Sequence, residues 1–192
     1  MNKLVLLLLP FVLMCNNSPR TAKDKGAGES SLQEETYSFK DLCIHYPASM
    51  ELSGLQEVPD IDFVSFFLVD KEDSQSRIEF GISEYDTEFL ATAPKEELTG
   101  EMAAMVDEMM EKTFSLTSVS VLKKSEIVIS DTQKGPEVYS FAQILKEEKE
   151  RFMIFSVQLR DKYCISTVCQ SGEAARLEYY NNLLEKISVT NL

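Results

Sequence analysis

The sequence predicts an α+β protein, a largely antiparallel sheet flanked by helices. Three observations predict it. Strand-like stretches follow one another with helices at only two places, in the order β-β-β-α-β-β-β-β-α. Without a helix after each strand, a parallel sheet is not built. Residues 62–69, DFVSFFLV, are almost continuously apolar, as in a strand covered on both faces. The two helical stretches lie where they could cover two faces of one sheet, as in a sandwich. The composition, 44% hydrophobic and 27% charged, is that of a folded chain and not of a disordered one. A length of 192 residues suits one domain with appendages.

A segment outside that domain comes first. Lys3 is followed by Leu4 to Met14, a stretch without charge that stops at Cys15. As a helix it would reach about 16 Å, roughly half a hydrocarbon core, too short to span but right for the apolar region of a signal peptide. Val12-Leu13-Met14-Cys15 resembles a bacterial lipoprotein lipobox. That resemblance implies a signal peptide over 1–14 and a diacylglyceryl thioether on Cys15, which becomes the mature N-terminus. Met14 stands where the motif usually has Gly, Ala or Ser. The plainer alternative is an ordinary signal peptide with an incidental cysteine. Several acyl chains, at about 0.8 kcal/mol per buried methylene, anchor stably where one does not. By the same resemblance, Asn16 after the cysteine favours the outer membrane, with the protein facing the periplasm.

Residues 15–35 are expected to form a flexible polar tether. From Asn16 to Glu35 there is one leucine and no aromatic residue, too little to order the segment. A coil of that length reaches roughly 25 Å. A single domain over 36–192 follows. Residues 37–46, YSFKDLCIHY, predict a strand ended by Pro47. Residues 62–69 predict a central strand. Over 77–85 the sequence alternates, with Ile78, Phe80 and Ile82 on one face. Thr92-Ala93-Pro94 opens a helix, with Glu96 and Glu97 at the positive end of its dipole. Leu98, Met102, Met105, Val106 and Met109 form its apolar stripe. Further strands are expected over 119–130, 137–145, 151–160 and 162–169, with turns over 131–136 and 147–150. Leu177, Tyr180, Leu184 and Ile187 mark the buried face of a last helix, which Tyr179 and Leu183 could widen.

The stretches FKDLCIHYPASME (39–51), DFVSFFLVD (62–70) and the long run 138–189 give a pattern that resembles the PsbP-like fold. That fold is shared with a Ran-binding nuclear import factor and with small bacterial lipoproteins of the DcrB type. The resemblance covers about 150 residues and is one of pattern. It implies an α/β/α sandwich and, in function, an assembly or adaptor module. No catalytic residues belong to the pattern, so none is carried over.

The residues themselves point to little chemistry. A net charge of −13 repels phosphate backbones, so nucleic acid is not an expected partner. His45 is the one histidine, so no multi-histidine metal site exists. Cys43 and His45 share a strand face as a conceivable nucleophile and base, but their Cβ atoms stand nearly 7 Å apart by the strand rise. Cys164 and Cys169 would lie roughly 16 Å apart on one strand, so any disulfide must use Cys43, and thiols are expected instead. Met102, Met105, Met109 and Met110 read as core, with Met110 off the line of the stripe and a candidate docking contact. Phe63 to Phe67 read as core, or as the wall of a lipid pocket. Asp60, Asp62, Asp70, Glu72 and Asp73 crowd the ends of the 62–69 strand but lack a calcium-loop pattern. No catalytic residue, metal or cofactor is expected. The expected function is a membrane-anchored, non-catalytic module, tethered through Cys15, that binds another envelope protein. The alternative is a carrier holding a small ligand or lipid between sheet and helix.

Overall fold

The structure is a computed structural model, and it describes residues 34–115, 119–132, 134–184 and 188–189. In chain order the strands and helices are β1 (Glu34–Phe39), β2 (Leu42–Pro47), β3 (Met50–Val58), β4 (Phe63–Asp70), β5 (Arg77–Glu84), α1 (Thr87–Thr92), α2 (Lys95–Phe114), β6 (Val119–Lys124), β7 (Val128–Thr132), β8 (Gly135–Lys146), β9 (Lys149–Arg160), β10 (Tyr163–Ser171), α3 (Ala174–Leu184) and β11 (Ser188–Val189). Eight strands form one sheet in the order β3-β4-β5-β10-β9-β8-β6, with β7 also pairing β8. A second sheet has the order β1-β2-β11. Every pairing among the described strands is antiparallel, as the lack of helix-after-strand alternation requires.

Two cores lie on opposite faces of the large sheet. On one face α2 presses Met102, Met105, Val106, Met109 and Met110 onto Val138, Ala142 and Ile144 of β8 and Met153, Phe155 and Val157 of β9. On the other, Val64, Phe66, Leu68, Ile78, Phe80 and Ile82 pack under Leu42, Ile44 and Tyr46 of the small sheet and Leu177, Tyr180 and Leu183 of α3. Helices cover both faces as expected, but the second face is shared with a small sheet. The chain is therefore richer in strand than the sequence pattern suggested.

Several elements differ from the sequence expectation. The single strand over 37–46 is a hairpin, because Lys40 adopts a φ of 54° and folds β1 back on β2. The described pairing includes Glu34 and Glu35, so both belong to β1. β3 was not foreseen. Its polar outer residues and its bulge between Ser53 and Gln56 break the alternation that marks a strand. Gly54 sits in that bulge at φ 64°, and a Cβ there would come within 2.6 Å of the Phe67 ring. Residues 119–130 are two strands, β6 and β7, both laid along β8. A short α1 precedes Pro94, which stands at the N-cap of α2.

The strand taken as central, 62–69, lies one place from the edge, and its burial alternates. Val64, Phe66 and Leu68 are buried, while Phe63, Phe67 and Val69 are half-buried. The strands covered on both faces are β9 and β10. On the face away from α2, polar side chains stand among apolar ones such as Ile154, Tyr163 and Ile165, and hydrogen bonds hold several of them. Ser156 and Thr167 share one at 2.7 Å, and Gln158 Nε2 donates to Glu137 Oε1 at 2.7 Å. A buried polar group is tolerated only with such partners. Apolar run length therefore pointed to the wrong strand.

Candidate functional site

Two polar clusters cap opposite ends of β4 and β5. At one end three turns converge. Lys40, at the β1–β2 turn, bridges Asp62 at 2.8 Å and also Glu84 at the end of β5. Lys162, in the β9–β10 turn, bridges Glu84 at 3.0 Å and Asp41 at 3.5 Å. Tyr163 donates its hydroxyl hydrogen to Asp41. The Lys40 and Lys162 hydrogen bonds hold the Glu84 carboxyl below its usual range. The Tyr163 hydrogen bond does the same for Asp41. The cluster ties the small sheet to the large one, and its charges are spent on each other.

At the other end an open crevice of about 310 Å³ is lined by Ser49, Asp70, Glu72, Ala175, Arg176 and Tyr180. Arg176, in the first turn of α3, donates to Asp70 Oδ2 at 2.7 Å, and the Tyr180 hydroxyl donates to the same oxygen at 3.4 Å. Burial pushes the Tyr180 phenol up to about 12, so it stays a donor at neutral pH. The carboxylates that crowd the ends of the 62–69 strand are thus divided. Asp62 serves the lysine cluster and Asp70 serves Arg176, and among the described residues no group of three or more His, Cys, Asp or Glu is placed to hold a metal.

Cys15, the residue expected to carry the lipid, lies outside the described residues. Cys43 and His45 lie on one face of β2, each opposite a β1 partner and not in contact through a shared hydrogen bond. Thr36 Oγ1 and His45 Nδ1 are 3.1 Å apart, and Ser38 Oγ and Cys43 Sγ are 3.5 Å apart. The register Thr36↔His45 and Ser38↔Cys43 sets both pairs. Cys164 and Cys169 are buried thiols. Burial pushes each up to about 12, far from the thiolate that nucleophilic chemistry needs. Met110, which lies off the line of the stripe and by sequence is no more than a candidate docking contact, is fully buried in the α2 core with the other methionines. Beneath α2 the helix side chains pack directly on those of β8 and β9. Ile187 lies outside the described residues, and Leu183 takes part in the α3 face. No helix among the described residues is long and apolar enough to cross a membrane.

Two features escaped the sequence reading. Glu79, on the α2 side of β5, is almost completely buried, and its carboxyl is raised to about 7 by that burial. The other is a sheet edge. Val121 and Leu122 of β6 are 44% and 51% exposed, and Val128 and Ile129 of β7 are 40% and 57% exposed. These are four of the six exposed large apolar side chains among the described residues. Among the described residues, β6 closes the strand order on that side. Such an edge offers backbone N–H and C=O groups to another strand. A count of apolar residues in a window could not find it, because the same letters predict a buried strand.

No family model matches the sequence, and no curated protein matches it. Among solved structures the chain is similar to the cyanobacterial PsbP of Synechocystis sp. PCC 6803, with a TM-score of 0.52 and 13% identity, over 88% of this chain and 98% of that one. It also aligns with a Pseudomonas aeruginosa protein of unknown function, at a TM-score of 0.33 and 11% identity over 80% of this chain and 92% of that one. At 13% identity the first likeness is one of architecture, and the fold of this chain is PsbP-like.

Proposed function

We propose that this chain is a lipid-anchored, non-catalytic protein-binding module of the bacterial cell envelope, held through Cys15 on a polar tether and facing the periplasm. In this reading its PsbP-like body is an α/β/α sandwich whose second helical layer is shared with a small sheet. The observation that carries it is the row of exposed aliphatic side chains, Val121, Leu122, Val128 and Ile129, spread along one edge of the large sheet. Large aliphatic side chains left in water along a sheet edge mark a place where another chain can sit. The run from Leu4 to Cys15 supports the anchor.

A photo-crosslinking residue placed at Leu122 or Ile129 in living cells tests the docking, with Glu51 on the opposite edge as control. A discrete crosslinked protein from the first two sites and none from Glu51 is expected. No adduct at either edge, or equal adducts at both, overturns it. In the same cells Cys15→Ser is expected to move the protein out of the membrane fraction and to abolish incorporation of labelled palmitate. Retention of both overturns the anchor. The alternative, a small-ligand carrier, has the crevice beside α3 in its favour, although the lining there is polar and open.

A further inference from the structure

We infer that β6 receives an extended segment of another polypeptide as an added strand, and that this segment carries acidic side chains among aliphatic ones. The inference rests on the docking reading above and names the chemistry of its partner. Among the described residues, the large sheet ends on β3 at one side and on the β6–β7 side at the other. β3 is closed to a visitor by its own construction. It has a bulge between Ser53 and Gln56, a left-handed Gly54 inside it, and the carboxylates of Glu51 and Glu57 along it. A bulge and charges of one sign are the usual guards of a sheet edge.

β6 has the opposite character. It reads VSVLKK, without a carboxylate and with two lysines at its end. Residues 120–124 are all exposed. In a chain of net charge −13 this is a local reversal of sign. The register places Lys124 beside Ala142 and Lys123 beside Gln143, so the two ammonium groups leave opposite faces of the sheet. An incoming strand alternates its side chains between the same two faces. It therefore meets a cation on each, after passing the aliphatic Val121 and Leu122. Lys124 reaches Asp107 of α2 at 3.4 Å, with both side chains about half exposed. A carboxylate on the visiting strand competes for that ammonium without having to break a buried pair. The bulge between Val121 and Lys123 limits a regular ladder to short stretches on either side. Backbone pairing then supplies affinity and the alternate side chains supply selection.

The test uses the full-length protein in detergent micelles and two capped synthetic peptides, one alternating valine with glutamate and its counterpart alternating valine with lysine. Backbone amide exchange is followed along the chain. The acidic peptide is expected to slow exchange several-fold over 119–124 and to leave 50–58 unchanged, while the basic peptide does neither. The double variant Lys123→Glu with Lys124→Glu, at exposed positions that leave the fold intact, is expected to reverse that preference. Equal protection by both peptides, protection on β3, or no protection at saturating peptide overturns the inference. So does protection that grows with protein concentration alone, since a second copy is then the occupant. If the crosslink at Leu122 persists while both peptides fail, strand addition is lost and the docking reading stands.

Discussion

Glu79 sits in β5 opposite Phe67 of β4 and Val168 of β10. Burial raises its carboxyl from the ordinary 4.5 to about 7, and the Arg77 guanidinium offsets only part of that. Arg77 is itself engaged with the Phe67 ring, 5.2 Å from its centroid. Between those two values the folded protein holds a proton that the unfolded chain has released, so stability falls as pH rises through the window. Below it both states are protonated, and above it the full penalty remains. Glu79→Gln is therefore expected to stabilise the fold by roughly 2–3 kcal/mol at about pH 8 and by almost nothing near pH 4.5. Urea denaturation of both proteins across that range checks it, and parallel curves would refute it. In the core under α2, Phe155 is fully buried and meets Phe114 edge-on at 5.8 Å. Phe155→Ala is expected to cost about 3–5 kcal/mol by the same measurement. At this scale the sequence was legible where apolar letters alternate, as at Ile78, Phe80 and Ile82. It was silent where burial rests on hydrogen bonds. Ser156, Gln158 and Thr167 are buried, but their letters read as surface.

The hairpins show how an element can form without its usual signal. Lys146 pairs with Lys149 across Glu147-Glu148, and both glutamates have positive φ, 52° and 62°. Such two-residue turns favour Asn-Gly, because other L-residues in the left-handed region are strained by about 1–2 kcal/mol each. The double variant Glu147→Asn with Glu148→Gly is expected to raise stability by about 1–2 kcal/mol, read as a higher urea midpoint at unchanged slope. A lower midpoint would show that the glutamates do something else at this turn. Here the separating charged stretch was still visible in the sequence. The β1–β2 turn was not, because Lys40-Asp41 carries neither Gly nor Pro nor Asn and the alternation runs straight through it. The break between β6 and β7 was hidden in the same way by Ser125-Glu126-Ile127. Where a turn carries neither Gly nor Pro nor Asn, composition does not announce it. The two helices were legible because stripes at spacings of three and four need a long run, and α2 supplies 20 residues.

For the whole molecule, strand type was readable and strand order was not. β10 lies between β5 and β9, so residues 77–84 meet residues 163–171 in the middle of the sheet. No local pattern encodes a pairing across that separation. The candidate site was half legible for a related reason. The aliphatic and lysine letters of β6 are plain, but that they lie at an edge is a property of the whole strand order. Such non-local pairing also predicts folding on the millisecond-to-second scale, which stopped-flow refolding would check. In the proposed tethered arrangement, removing residues 1–33 is expected to leave the thermal midpoint unchanged, and a drop of several degrees in calorimetry would reject an independent body. The hairpin of β1 and β2 has a mechanical side as well. Glu34 pairs with Pro47 at its open end, and the last rungs adjoin Lys40, which is strapped to Asp62 and Glu84. A tug arriving along the chain ahead of Glu34 would strip that ribbon like a zip, rung after rung, prising the Tyr37 ring off Phe66 of the large sheet before it stalls at the ionic buckle.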